Sequence, residues 1–118
     1  MVSNPAEIHL NICAILSQLG KHDLALHHSM KALILIQDEL LELENTKAIE
    51  QRQTVLVIAL HNIAVEYEYL KEYQSAIHMY SKAKDYATKY LGSSHMFTKK
   101  MEGVLSDSAV KIKGIIER

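Results

Sequence analysis

Apolar residues recur every three or four positions along most of the chain, which is the period of an amphipathic helix. The pattern is clearest in the second quarter of the sequence, where its apolar positions are Leu24, Leu26, Met30, Leu33, Leu35, Ile36, Leu40, Leu41 and Leu43. Signals for turns interrupt the period near residues 20, 45, 71 and 92. The pattern therefore predicts an all-α fold of five antiparallel helices, over about 5–19, 22–44, 47–70, 73–91 and 94–116.

Local residue chemistry supports these helix ends. The stretch Asn4-Pro5-Ala6-Glu7 combines a capping side chain, a proline suited to the first helical position and an acid three residues after the cap. Gly20 and Gly92 can adopt the left-handed backbone that ends many helices. We expect Ser93 or Ser94 to cap the fifth helix.

An internal repeat is visible at an offset of 51 residues, where "HNIAVEYEYLKEYQSAIHMYSKA" (61–83) aligns with "LNICAILSQLGKHDLALHHSMKA" (10–32). The identical pairs are Asn11/Asn62, Ile12/Ile63, Leu19/Leu70, Ala25/Ala76, His27/His78, Lys31/Lys82 and Ala32/Ala83. Two similar helical hairpins in one short chain indicate stacked units that share a core. Long second and third helices would explain the offset, and a loop near Asn45 would explain it equally well.

Composition narrows the class of protein further. At 118 residues with 48% hydrophobic content, the chain is expected to form one folded domain, and four glycines and one proline favour long helices. A net charge of −1 gives no electrostatic attraction to nucleic acid or to an anionic membrane. The longest apolar runs, "ALILI" and "LVIAL", are too short for membrane insertion. With one cysteine and no signal peptide visible, we expect a cytoplasmic location.

The second hairpin resembles the tetratricopeptide repeat, a helix–turn–helix unit that usually spans 34 residues. Ala64 matches the small residue of the first helix, and Tyr67 matches the aromatic residue that follows it. Ala76, Tyr80 and Ala83 match the small–large–small stripe of the second helix. Tyr73 matches the residue that follows the turn. In the first hairpin Cys13, Leu16, His22, Ala25 and Ala32 hold the places of Ala64, Tyr67, Tyr73, Ala76 and Ala83, and Gly20 holds the turn.

The closest variant is the kinesin-light-chain type, because "YLGSSHMFT" (90–98) is similar to the joint between its repeats. The resemblance implies a short right-handed solenoid, with unit one at about 6–45, unit two at about 46–92 and a capping or half unit at about 93–117. The departures are the offset of 51 residues, the missing final proline and Lys71 in place of the turn glycine. Two and a half units also lead us to expect a fragment of a longer protein.

The resemblance further implies a non-enzymatic adaptor that binds a peptide segment of a partner protein in a groove along the first helix of each unit. By position, the predicted groove residues are Glu7, Leu10, Asn11, Ala14, Gln18, Ile58, His61, Asn62, Val65, Glu68 and Tyr69. Asn11 and Asn62 are the strongest candidates, because an amide side chain can both donate to and accept from a peptide backbone. The alternative is that both asparagines hydrogen-bond neighbouring helices.

Charge on the predicted groove bears on the ligand. No Lys or Arg falls on it, which argues against a receptor for the C-terminal carboxylate of a chaperone. Glu7 and Glu68 favour a basic or neutral ligand. Among histidine and cysteine residues, only His9 and Cys13 have the helical spacing of a metal-ligand pair, and a buried thiol beside a packed imidazole explains them better. We expect no metal and no cofactor.

A second hypothesis is a structural assembly module without a free peptide ligand. The apolar helices could pair between copies in a homo-oligomer or continue into a larger cytoskeletal or ciliary scaffold. A cytoskeletal or ciliary location would accompany this alternative.

Overall fold

The computed structural model describes residues 4–118 and confirms the all-helical class. Its helices are α1 (Pro5–Gln18), α2 (His22–Glu42), α3 (Thr46–Tyr69), α4 (Tyr73–Leu91) and α5 (Met96–Ile116). The predicted ends lie within two residues of these bounds. Each helix packs chiefly against its neighbours in sequence, and smaller contacts join α1 to α3 and α3 to α5.

The two hairpins have helix ends at equivalent positions. α1 ends at Gln18 and α3 ends 51 residues later at Tyr69, while α2 begins at His22 and α4 begins 51 residues later at Tyr73. Three residues, 43–45, connect α2 to α3. The offset therefore comes from the length of α2 and α3, which have 21 and 24 residues, and not from a loop near Asn45.

Both turns have the geometry of a Schellman motif. In the first turn Gly20 has a φ of 75°, and its N–H and that of Lys21 donate to the carbonyl oxygens of Ser17 and Leu16. Lys71 stands at the equivalent place in the second turn with a φ of 63°. The two N–H groups there, those of residues 71 and 72, donate to the carbonyls of residues 68 and 67. The lysine thus adopts a left-handed conformation that costs a side-chain-bearing residue free energy.

We expect Lys71→Gly to raise the free energy of unfolding by about 0.5–1 kcal/mol, because glycine adopts this backbone without the penalty. Urea unfolding followed by circular dichroism would measure the change. The matched control is Gly20→Ala, which should destabilise by about 1 kcal/mol through conformation alone, since a Cβ on Gly20 meets nothing within 4 Å. A Lys71→Gly variant less stable than the native chain would contradict the expectation.

The predicted cap of α5 is wrong. Neither Ser93 nor Ser94 caps the helix; His95 does, with its ring Nδ1 accepting from the N–H of Phe97 at 3.1 Å. Gly92, with a φ of 94°, begins a turn that is closed when the N–H of His95 donates to the Gly92 carbonyl. Ser93 and Ser94 both lie inside this turn, so α5 begins at Met96, later than expected.

Small residues allow the helices to approach one another closely. The alanines at repeat-equivalent positions 25 and 76, and 32 and 83, are fully buried. One core cluster joins Ala32 and Ile36 of α2 to buried residues of α3, with contributions from α1, α4 and α5. A second cluster packs α3 and α4 against Ile112 of α5.

A buried arginine joins the first three helices. Arg52 of α3 is 7% exposed; its guanidinium donates to Glu7 of α1 at 2.6 Å and lies 3.5 Å from Glu39 of α2. The Asn4 side chain donates to the same Glu39 carboxylate at 2.9 Å. The side chains of Glu7 and Glu39 are 49% and 31% exposed, so water solvates the two carboxylates although the guanidinium is buried.

Candidate functional site

A depression of about 320 Å³ lies between α1 and α3. It is lined by Cys13, Ala14, Ser17, Gln18, His61, Asn62, Val65, Glu66 and Tyr69. The last two turns of α1 and the last three turns of α3 supply these residues, so two segments about 50 residues apart in sequence form one surface. Its volume is at the lower end of the range for ligand pockets.

Six of the predicted groove residues line this depression: Ala14, Gln18, His61, Asn62, Val65 and Tyr69. Glu68 lies in a neighbouring depression of about 280 Å³, which shares Val65 and Tyr69 and is completed by residues of α4 and α5. The remaining four predicted residues line neither depression. Leu10 packs against the core, Glu7 binds Arg52, Asn11 is exposed on α1, and Ile58 is half-buried on α3.

Asn11 and Asn62 differ in their surroundings. Asn62 is half-buried at the depression, and Asn11 is exposed about two turns before Gln18. Within residues 4–118 neither amide forms a side-chain hydrogen bond. The bonds nearby join Glu66 to Ser17 and His22 instead. The alternative interpretation, in which both asparagines bond neighbouring helices, gains no support from this part of the chain.

Three lining residues, Cys13, Ser17 and Glu66, lie outside the predicted set, and Glu66 is the acidic one among them. Its side chain is only 3% exposed; Oε2 accepts from the Ser17 hydroxyl at 2.9 Å, and Oε1 lies 2.7 Å from Nδ1 of His22. The carboxylate therefore connects α3 to both helices of the first hairpin. The signal was available in the repeat, because Glu66 places an acidic side chain where the aligned residue of the first hairpin is Ile15.

The aromatic ring of Tyr69 lines the same depression as the Glu66 carboxylate. One face of its ring stacks on His22, with 4.1 Å between ring centroids and 4° between planes. The side chain is nevertheless 60% exposed, so much of the ring remains open to a ligand. The stacking fixes the ring against the hairpin turn and leaves it accessible from the depression.

His61 contributes a neutral imidazole to the depression. Burial lowers its pKa below the ordinary 6.5, and the charge of Lys100 lowers it further. Its Nδ1 is buried without a hydrogen-bond partner among residues 4–118. The ring lies 5.9 Å from that of Tyr80, between the depression and α4.

The two acids predicted to attract a basic ligand are already paired. Glu7 binds Arg52 at 2.6 Å. Glu68 accepts from the Tyr80 hydroxyl at 2.9 Å and from Nζ of Lys111 at 2.8 Å. Their charges are therefore largely compensated within the fold, and the interpretation that these two carboxylates select a basic ligand loses its basis.

The predicted pair of His9 and Cys13 does not form a joint site. Nδ1 of His9 instead lies 2.9 Å from Nδ1 of His28, and Cys13 Sγ lies 2.9 Å from the Ser29 hydroxyl. That hydroxyl donates to the Ala25 carbonyl, so the thiol is the donor to Ser29, and burial raises the thiol pKa. Between residues 4 and 118, no three metal-ligating side chains lie close enough to hold a metal ion.

The pair His9–His28 predicts a pH dependence of stability. One Nδ1 must donate and the other accept, so two protonated rings cannot keep this bond. Desolvation, followed by the charges of His9, Lys31 and His27, lowers the pKa of His28 below 6.5, and the pKa of His61 is lowered as well. Their contribution to stability is therefore complete above pH 6.5 and is lost as the pH falls through the lowered values.

Urea unfolding at pH 7.5 and pH 5.5 would test this dependence. We expect a lower midpoint at pH 5.5 and a smaller difference in the double variant His28→Gln/His61→Gln. His78→Gln is the control, since it replaces an exposed histidine of α4 that makes no side-chain hydrogen bond within residues 4–118. An equal loss in the double variant and the control would contradict the assignment.

A second exposed surface lies on α1. Ile8, Ile15 and Leu19 are 43%, 58% and 65% exposed, and with the half-buried Ile12 they follow the 4-3-4 spacing of a coiled-coil seam. At the repeat-equivalent positions of α3, residues 59, 63 and 66 are buried against the first hairpin. α1 thus exposes the face that α3 buries.

Comparison with known proteins adds no family assignment. No protein-family model, no curated protein and no solved structure matches the chain. Among the helices of residues 4–118, none combines the length and the apolar character needed to cross a membrane.

Proposed function

We propose that this chain is a protein-interaction module of the tetratricopeptide type, similar to the kinesin-light-chain variant, that holds a peptide segment of a partner protein. The segment lies in the depression between α1 and α3, and the two hairpins stack as units of a short right-handed solenoid. The amides of Asn62 and Gln18 bind the backbone of the segment, and Val65 and Tyr69 contact its side chains. The module acts without catalysis or a cofactor, and it works in the cytoplasm.

The observation that carries the proposal is the convergence of α1 and α3. Six residues chosen by position in the repeat lie around one depression, although they come from both hairpins. The equivalent helix ends and the two Schellman turns also support a true structural repeat. An interaction site between consecutive units is what such repeats provide.

Selection from a displayed peptide library on the purified chain would test the proposal. We expect a shared motif to be enriched and its affinity to fall about tenfold or more in Gln18→Ala/Asn62→Ala, which removes the two lining amides that are proposed to bind the backbone. The matched control, Gln37→Ala/Gln51→Ala, removes two exposed amides outside the depression and should bind normally. A folded chain that enriches no motif would overturn the proposal.

The exposed seam on α1 favours assembly of copies as a second candidate function. Paired seams would bury Ile8 and Ile15 as α3 buries the equivalent residues 59 and 66, and they would also cover Leu19, whose equivalent Leu70 is 37% exposed. A cytoskeletal or ciliary scaffold would be one setting for such a module. Sedimentation velocity of the native chain and of Ile15→Glu would test this second function by measuring the mass in solution. A native multimer that becomes a monomer in the variant would support assembly, and a native monomer would exclude pairing of copies.

A further inference from the structure

The carboxylate of Glu66 has an unused capacity for hydrogen bonds. An ionised carboxylate offers about four acceptor sites, and the Ser17 hydroxyl and Nδ1 of His22 account for two of them. Within residues 4–118 no Lys or Arg pairs with this group, in contrast to Glu7 and Glu68. A buried carboxylate with open acceptor sites attracts a cationic donor, because desolvation strengthens the interaction.

No second carboxylate lines the depression to compete for that cation, and no Lys or Arg lines it to repel one. The other lining side chains are apolar, neutral polar or aromatic. His61 is the one imidazole on the lining, and burial lowers its pKa, so it carries no charge at neutral pH. The site is therefore acidic through Glu66 alone.

Tyr69 supplies the second half of a cation site. Its side chain lines the same depression as Glu66 and is 60% exposed, while His22 covers one face of its ring. A planar guanidinium packs on an aromatic ring more favourably than an ammonium does, and it presents several N–H donors at once. Gln18 and Asn62 also line the site, and their side-chain oxygens are further acceptors for such donors.

We propose that the depression between α1 and α3 is an arginine pocket, in which Glu66 binds the guanidinium of an arginine of the partner segment and Tyr69 covers its plane. This inference rests on the proposed peptide-binding function and names the chemistry that the groove selects. The volume of about 320 Å³ suits one long side chain with its adjoining backbone.

The neighbouring depression shows why the arginine is assigned to this site. That depression also contains a carboxylate and aromatic rings, but Glu68 there already accepts from Tyr80 and Lys111. A ligand arginine would have to displace the lysine of α5. Its lining also includes Lys71, whose charge disfavours a second cation.

Nuclear magnetic resonance titration with a blocked tripeptide, acetyl-Ala-Arg-Ala-amide, would test the pocket on the full chain. The control ligand carries citrulline, which keeps the shape of arginine and lacks its charge. We expect ring-proton shifts of Tyr69 and His22 with the arginine peptide and an affinity about tenfold or more lower for citrulline. Equal affinities would overturn the arginine pocket.

Two variants locate the effect. Glu66→Gln keeps an acceptor for Ser17 but removes the charge, so it should abolish the preference for arginine over citrulline. The control is Glu102→Gln, which changes an exposed acid on α5 and should retain that preference. Tyr69→Leu, at a side chain that is 60% exposed, should weaken arginine binding several-fold without unfolding the chain. If Glu66→Gln failed to fold, the comparison of the arginine and citrulline peptides on the native chain would still show whether the pocket selects arginine.

The library selection separates this inference from the function on which it rests. Enriched ligands that depend on Gln18 and Asn62 but contain no basic residue would overturn the arginine pocket and leave the adaptor function standing. A library without ligands, together with arginine-selective binding of the tripeptide, would overturn the adaptor function and leave a site for a guanidinium group.

Discussion

Replacing Ile36 by alanine is expected to lower the free energy of unfolding by about 3–4 kcal/mol. The side chain is fully buried in the core cluster that joins α2 to α3, so the variant loses apolar burial and leaves a cavity between the two hairpins. Equilibrium urea unfolding would measure the loss as a lower midpoint at an unchanged slope.

Ile34 offers a matched control on the same helix, two residues away. It has the same side chain but is 58% exposed, so Ile34→Ala should change stability by less than about 1 kcal/mol. If the two alanine variants lost equal stability, the face of α2 assigned to the core would be wrong.

Arg52→Ala is expected to cost about 3 kcal/mol, because it removes two charge-assisted contacts and the packing of a buried aliphatic stem. The carboxylates of Glu7 and Glu39 limit the loss, since both reach water and can be solvated once the guanidinium is gone. The packing contribution should therefore exceed the electrostatic one.

Arg52→Met separates these two contributions. It keeps an unbranched apolar stem and removes the charge, so we expect it to recover more than half of the stability lost in Arg52→Ala. The same urea experiment, with thermal unfolding as a second probe, would compare the variants. A methionine variant as unstable as the alanine variant would assign the effect to the ion pairs instead.

Helices and the repeat could be predicted from sequence because their signals are local. Each signal acts over a few residues: the glycines at positions 20 and 92, the cap at Asn4 and the apolar period. All of them have the expected role in the structure. The cap of α5 could not be predicted in the same way, since the choice between Ser93 and His95 depends on how far the turn after Gly92 extends before the backbone becomes helical.

The candidate site was predictable only in part, for a physical reason. Helical position indicates which side of α1 or α3 a residue occupies, and this placed Asn62 and Tyr69 at the depression. It does not indicate which charged side chain finds a partner on another helix. Arg52 and Glu66 are charged residues in helical sequence that tertiary contacts make buried, and those contacts neutralise Glu7 while leaving Glu66 with open acceptor sites.

The packing of each helix against its neighbours in sequence has a consequence for local opening of the fold. α3 contacts all four other helices, whereas α1 and α5 each pack against one sequence neighbour and touch α3 lightly. Amide hydrogens should therefore exchange with solvent slowest in the middle of α3 and fastest at the two ends of the stack. The depression is formed by the most protected helix and one of the least protected, so loosening of α1 would open the site while the second hairpin stays folded.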